Sequence, residues 1–269
     1  DTDNVISCGS YTGDGTTDGS KLVSLGYEPQ WVLVKRTDSS TNGNWHMIDV
    51  MRGMPTTTTS SSITGLLLAN TTATENLDSV GGPVATGFTP VASLTNTNGA
   101  TYIYIAIRRG PMRTPTSGTS VFAPTTYSGS GVARSITGLG FPIDLSITGI
   151  RNNSGVTVNG TTVDRLRGGL TSGAPRLFTT STSADWSDST SITTLDLMDG
   201  YKIGGTDGTV NSSSYNYVSW NFRRAPGFFD VVCYTGAGNQ TISHNLGVVP
   251  ELIITKSRSE VNNWGMYSA

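Results

Sequence analysis

Tyr102-Ile-Tyr-Ile-Ala-Ile-Arg-Arg-Gly-Pro111 and Tyr217-Val-Ser-Trp-Asn-Phe-Arg-Arg-Ala-Pro226 align without a gap. Tyr, Arg-Arg and Pro are identical, and an apolar residue recurs at every second position. Ile103, Ile105 and Ile107 correspond to Val218, Trp220 and Phe222. Alternation with a period of two marks a strand, and the reading places these apolar residues on its buried face. The Pro closes each strand where no ladder N–H is needed. A ten-residue segment recurring at this distance marks a repeat the size of a domain.

Two further motifs precede it in the same order. Tyr11-Thr-Gly-Asp-Gly15, Tyr127-Ser-Gly-Ser-Gly131 and Tyr234-Thr-Gly-Ala-Gly238 lie 116 and then 107 residues apart. An aromatic residue before Gly-x-Gly reads as a strand entering a loop that needs positive φ. Leu25-Gly-Tyr-Glu-Pro29, Leu139-Gly-Phe-Pro142 and Leu246-Gly-Val-Val-Pro250 follow. Each leads into a β-rich run: Trp31-Val-Leu-Val-Lys35, Leu145-Ser-Ile-Thr148 and Leu252-Ile-Ile-Thr-Lys256. Trp45 and Trp264 come next in copies 1 and 3. Copy 2 has neither that Trp nor the Lys, but its Arg167-Gly168 answers Arg52-Gly53.

The expected organisation is a first module over residues 1–112, a divergent second over 113–226, and the start of a third over 227–269. Residues 111–124, rich in Pro, Ser and Thr, are the expected join between the first two. The third copy reaches Ala269 without a closing Tyr…Arg-Arg-x-Pro strand, so the expectation is a part of a longer repetitive protein. Many short strands and Gly-rich turns predict an all-β fold. It would be a tandem array of antiparallel β-sandwich modules, jelly-roll-like, with little helix beyond one turn near residues 72–77.

Composition narrows the function. Charged residues are 13% of the chain and the net charge is −2. No basic excess draws it to nucleic acid, and no apolar run suits membrane insertion. Paired-carboxylate hydrolysis needs two facing acids. The four Glu are Glu28, Glu75, Glu251 and Glu260, and Glu28 and Glu251 hold matching places beside the repeat Pro residues, which predicts exposed turns. His46 and His244 stand in no catalytic or zinc pattern and read as surface or partly buried. Asp14-Gly-Thr-Thr-Asp18 lacks the terminal Glu of a calcium loop and reads as a plain turn. No catalytic residue, metal site or cofactor is expected. Cys8 and Cys233 read as buried thiols, with a pairing between them left open. Trp186 has polar neighbours and no counterpart in the other copies, so it is the candidate glycan contact. The repeated Arg108-Arg109 and Arg223-Arg224 are candidates for a module or subunit junction.

The motif set resembles a domain that recurs in structural proteins of tailed bacteriophages of marine and cyanobacterial hosts. The residues carrying it are Leu25 to Arg36, Trp45-His-Met-Ile-Asp49, Leu66-Leu-Leu-Ala-Asn70, Tyr102 to Arg109, Val231-Val-Cys-Tyr-Thr-Gly236 and His244 to Ile254. The resemblance implies concanavalin-like or jelly-roll sandwiches in a non-enzymatic virion structural protein, fibre-like or exposed on the virion surface. The expected partners are other virion proteins and copies of itself, and host cell-surface glycan is a candidate ligand for loops that differ between modules, such as residues 183–191. A capsid decoration protein, a secreted bacterial adhesin and a carbohydrate-binding module are the alternatives.

Overall fold

A computed structural model describes residues 5–54, 64–109, 114–152, 159–167, 175–186 and 190–269. Residues 111–113 of the expected join, Gly168, and residues 187–189 beside Trp186 lie outside them. The chain divides into two compact units, Asp1–Met112 with Val232–His244, and Arg113–Val231 with Asn245–Ala269.

The first unit contains β1 (Ile6–Thr12), β2 (Val23–Ser24), β3 (Pro29–Arg36), β4 (Trp45–Asp49), β5 (Thr64–Leu68), β6 (Asn76–Asp78), β7 (Gly82–Val84), β8 (Gly87–Thr89), the single-turn helix α1 (Ala92–Thr95) and β9 (Thr101–Arg108). The second contains β10 (Phe122–Ser128), β11 (Arg134–Thr137), β12 (Leu145–Ile150), β13 (Thr161–Asp164), β14 (Arg176–Phe178), β15 (Ile192–Thr194), β16 (Gly200–Ile203), β17 (Asn216–Phe222), β18 (Leu252–Thr255) and β19 (Gly265–Ser268).

The two units repeat one antiparallel topology. The large sheets run β1-β9-β3-β4-β5-β6 and β10-β17-β12-β13-β14; the small sheets run β2-β8-β7 and β11-β16-β15. Each core draws side chains from both of its sheets. Val32, Val34, Ile48 and Ala106 meet Val23 and Phe88 in the first, and Val163 meets Ile136, Ile192, Tyr201 and Ile203 in the second. The chain is thus a tandem of all-β sandwiches with little helix, as the sequence predicts. No helix forms over residues 72–77. Asn76–Asp78 pair instead with Thr64–Leu66 as β6, so sheet pairing overrides the local preference of Ala and Glu.

The opening and closing motifs meet across the first ladder. Tyr11 pairs with Tyr102 and Tyr127 with Tyr217, and each pair of rings stacks, with centroids 5.1 and 5.2 Å apart. The Tyr11 hydroxyl donates to Thr95 O and the Tyr127 hydroxyl to Val210 O. Burial raises the pKa of both phenols. Between them sits a fully buried Asn. Asn96 Nδ2 donates to Asp14 Oδ1 and Thr16 O, and Asn96 Oδ1 accepts from Asp14 N. Asn211 Nδ2 donates to Val132 O and Gly204 O, and its Oδ1 accepts from Ser130 N. The Gly-x-Gly motif fits this clamp: a Cβ on Gly13 or Gly129 would stand 2.2 or 1.9 Å from a carbonyl oxygen, while Gly15 and Gly131 take φ of 77° and 69°.

The structure reverses the expected face of the closing strand. Tyr102, Tyr104 and Ala106 turn toward the core, and so do Tyr217, Ser219 and Asn221; Ile103 and Trp220, on the opposite face, are 37% and 40% exposed. Cys8 shares that outer side of β1 and is exposed, and Cys233 is half-buried, so neither is a core residue.

Candidate functional site

β14 brings together the features that single out Trp186. Arg176 N donates to Trp186 O at 2.9 Å and Trp186 N to Arg176 O at 3.0 Å, one antiparallel bridge. The Arg176 guanidinium lies 4.8 Å from the Trp186 ring and 5.0 Å from the Phe178 ring. Its Nη1 donates to Asp207 Oδ2 and to Thr209 Oγ1, and the Arg176–Asp207 pair is buried. A cation against an indole is worth about 0.5–2 kcal/mol. The ring is therefore positioned by the cation beneath it, yet Trp186 remains 57% exposed. A fixed and open indole can stack on the apolar face of a sugar ring.

The start of the third repeat copy holds this loop. Lys256 Nζ donates to Thr182 O at 3.1 Å, Asn262 N to Thr182 O at 2.9 Å and Asp185 N to Arg258 O at 2.8 Å. Arg258 Nε donates to Asp185 Oδ2, and Trp264 Nε1 donates to Phe178 O at 3.0 Å. The Lys and Trp shared by copies 1 and 3 thus serve different ends. Lys35 bonds Gly43 O and lies 5.7 Å from the Trp45 ring within its own hairpin, whereas Lys256 and Trp264 fasten the Trp186 loop.

The paired arginines close their strands as follows. Arg108 N donates to Val5 O, Arg109 N to Glu28 O and Arg223 N to Val121 O. Arg224 is buried: its Nε donates to Asp230 Oδ1 and its amide to Asp144 Oδ2. Asp230 Oδ2 also accepts from Asn245 N, so Arg224 joins the end of β17 to the chain that follows it.

Other ionic residues escaped the sequence reading. In Asp49-Val-Met-Arg52 and Asp164-Arg-Leu-Arg167, the Arg amide and Nε grip the two oxygens of the Asp carboxylate, and Nη2 donates to Met47 O or Thr162 O. The signal was an Asp three residues before Arg-Gly in both copies. Asp144 binds Arg165 in the second unit; the corresponding residues of the first, Gln30 and Val50, carry no charge.

Residues considered for catalysis are dispersed. Glu28 is buried, contrary to the exposed turn expected, whereas Glu251 is exposed, and Glu75 pairs with Arg52. His46 is also buried rather than superficial, because β4 lies between β3 and β5; desolvation lowers its pKa. Asp14 caps the Thr16 amide and hydroxyl, and these bonds with the Asn96 contact lower its pKa to about 2. Among the described residues, no three His, Cys, Asp or Glu side chains converge on a metal position, and no helix is long and apolar enough to cross a membrane.

These features define a repeated all-β sandwich protein whose shared residues are those that close the sandwich. The chain belongs to the family described as a domain of unknown function (DUF7483), whose model matches residues 6–111 and 117–269. No curated protein and no solved structure matches it.

Proposed function

We propose that the chain is a non-enzymatic structural protein of a tailed-bacteriophage virion, fibre-like or otherwise exposed on the particle surface, where it contributes to host attachment. The observation carrying this reading is the pattern of what the repeats share. The stacked Tyr pair, the Asn clamp and the Asp-x-x-Arg turn recur and hold the sandwich together. The exposed Trp186 platform belongs to one copy alone. Duplicated scaffold with one elaborated loop suits a stiff spacer that presents a contact, and repeated ladders supply stiffness without helices.

The outer faces of the large sheets support assembly with copies of the chain and with other virion proteins. Ile103, Ile105 and Ile107 on β9, and Val218, Trp220 and Phe222 on β17, give matching apolar rows on the side away from each core. Such faces fit the apolar centre of an interface. Antibody labelling of purified particles tests the placement. Label along a tail appendage is the expected result; label on the shell identifies a capsid decoration protein, and label on uninfected bacterial cells identifies an adhesin.

Trp186 specifically favours carbohydrate as the attachment ligand. Binding of the chain to host envelope glycan should fall at least about tenfold in Trp186→Ala, a loss of about 1.4 kcal/mol. Unchanged binding refutes the glycan role and leaves the particle assignment standing.

A further inference from the structure

Strand β18 repeats the position of β3 and β12, but only on one side. Val32 pairs with Ile48 and Val34 with His46; Ile253 pairs with Tyr267 and Thr255 with Gly265, in the register that the Trp45 and Trp264 motifs predict. The bond from Val50 N to Gln30 O returns as Ala269 N to Glu251 O. On its other edge β3 takes the closing strand β9, and β12 takes β17. Among the described residues, β18 has β19 as its sole strand neighbour.

The exposure of the matching residues agrees. Val32 and Ser146, which face the two cores, are fully buried; Ile253, their counterpart, is 41% exposed. Tyr267, the counterpart of Ile48, is 60% exposed. Among the described residues, opening strands β1 and β10 pair only with closing strands, and residues 230–235, which correspond to them, belong to no strand. Both gaps in the third copy are gaps for one and the same element.

We propose that the free edge of β18 is an acceptor for a β-strand of the repeat's own closing type. The occupant is an extended segment that begins with Tyr, carries small or aromatic residues on one face and branched apolar residues on the other, and ends in Arg-Arg. Backbone bonding to the ladder supplies affinity, and the side chains that cover Ile253 and Tyr267 supply selectivity. The outward N–H and C=O groups of β18 already have the required extended geometry.

The test uses the full chain and a synthetic peptide with the sequence of residues 101–111. Hydrogen exchange should slow at every second amide across Leu252–Thr255, the set directed away from β19. A peptide with Pro in place of Ile105 should bind at least about tenfold more weakly. Ile253→Asp should weaken binding similarly while exchange in β3 and β12 stays unchanged, because Ile253 is exposed and its loss leaves both cores intact. Protection in β3 or β12 instead would mean strand exchange into complete modules, and overturns the proposal. So does an absence of protection at β18. Protection of β18 that grows with chain concentration without peptide, while exchange in β9 and β17 stays unchanged, overturns it too, because the occupant would then be a second β18–β19 hairpin.

Discussion

Substituting Met for Arg52 and, separately, for Arg167 compares one turn in two environments. Both arginines share one set of bonds: amide and Nε to the carboxylate of the Asp three residues earlier, and Nη2 to the carbonyl two residues before that. Arg52 adds an exposed pair with Glu75, and the two differ in solvent. The side chains of Arg52 and Asp49 are 23% and 20% exposed, those of Arg167 and Asp164 only 2% and 7%. Met keeps much of the aliphatic stem, so the change reports on charge and hydrogen bonds. Arg167→Met leaves a buried carboxylate without its cation, which costs about 3–5 kcal/mol. Arg52→Met loses two solvated pairs, with Asp49 and Glu75, worth at most about 1 kcal/mol each, and one carbonyl bond of about 1 kcal/mol. At about 4 °C per kcal/mol, the melting transition of the second unit falls by roughly 12–20 °C and that of the first by no more than roughly 12 °C. Scanning calorimetry measures the shifts, and hydrogen exchange at β4 and β13 assigns each transition to its unit. Equal shifts, or a larger one for Arg52→Met, would refute the argument that burial sets the value of this turn.

His46 gives a pH signature. Desolvation lowers its folded-state pKa below 6.5, so the unfolded chain takes up a proton first as pH falls. Stability of the first unit should therefore decline below about pH 6.5, by at most about 1.4 kcal/mol per pH unit, until the folded-state pKa is passed; denaturant titrations of His46→Leu should lack that slope between pH 7 and 5. Asn211→Ala removes two donors and an acceptor from a fully buried clamp. At about 1–3 kcal/mol for each stranded backbone group, it should destabilise the second unit by at least about 3 kcal/mol in urea unfolding. Asn211→Asp should not rescue it, because a carboxylate would face the carbonyls of Val132 and Gly204.

The repeat was legible because its motifs are the places where backbone geometry demands particular residues. Gly13 and Gly129 sit too close to carbonyls for a side chain, and Gly26, Gly140 and Gly247 all take positive φ. The partner of the Gly-x-Gly loop was less visible. Asn96 and Asn211 stand 79 to 82 residues from the loops they hold, and Asn is so common in turns that neither stood out. Burial of Glu28 and His46 was hidden for a different reason: a polar residue carries no sign of which strands will flank it. Trp186 could be singled out by its lack of a counterpart, but Arg176, which fixes its ring, lies in a stretch where the copies share no motif.

The reversed face of β17 has a physical reason that concerns the whole second unit. Alternation divides a strand into two faces, and the choice between them rests on the more apolar one being buried. In the first unit the inner positions are Val32, Val34, Tyr104, Ala106 and Phe88; at the corresponding positions the second has Ser146, Thr148, Ser219, Asn221 and Tyr201. All five, together with Thr162, place polar atoms where solvent does not reach. The Tyr201 hydroxyl donates to Ser219 Oγ, while Ser146 and Thr148 influence it without reaching full hydrogen-bond geometry. Among the described residues, the carboxamide oxygen of Asn221 and the Thr162 hydroxyl have no hydrogen-bond partner. Such groups cost about 1–3 kcal/mol each, so apolar burial does less to hold the register of β12 and β17 in this copy. Ile136, Phe141, Val163, Ile192 and Ile203 still form a buried cluster, and the ladders, the Asn211 clamp and the buried Asp–Arg pairs add to it without depending on an apolar inner face of those two strands. Meanwhile Val218, Trp220 and Phe222 keep the outer face apolar in the copy that has diverged most. Phe222 is held there by Phe122, Phe228 and Phe229 of the same chain, with ring centroids 4.9, 6.5 and 5.1 Å away. Trp220 has no such cover and stays 40% exposed, so it is the part of that face which the proposed packing against other chains would bury.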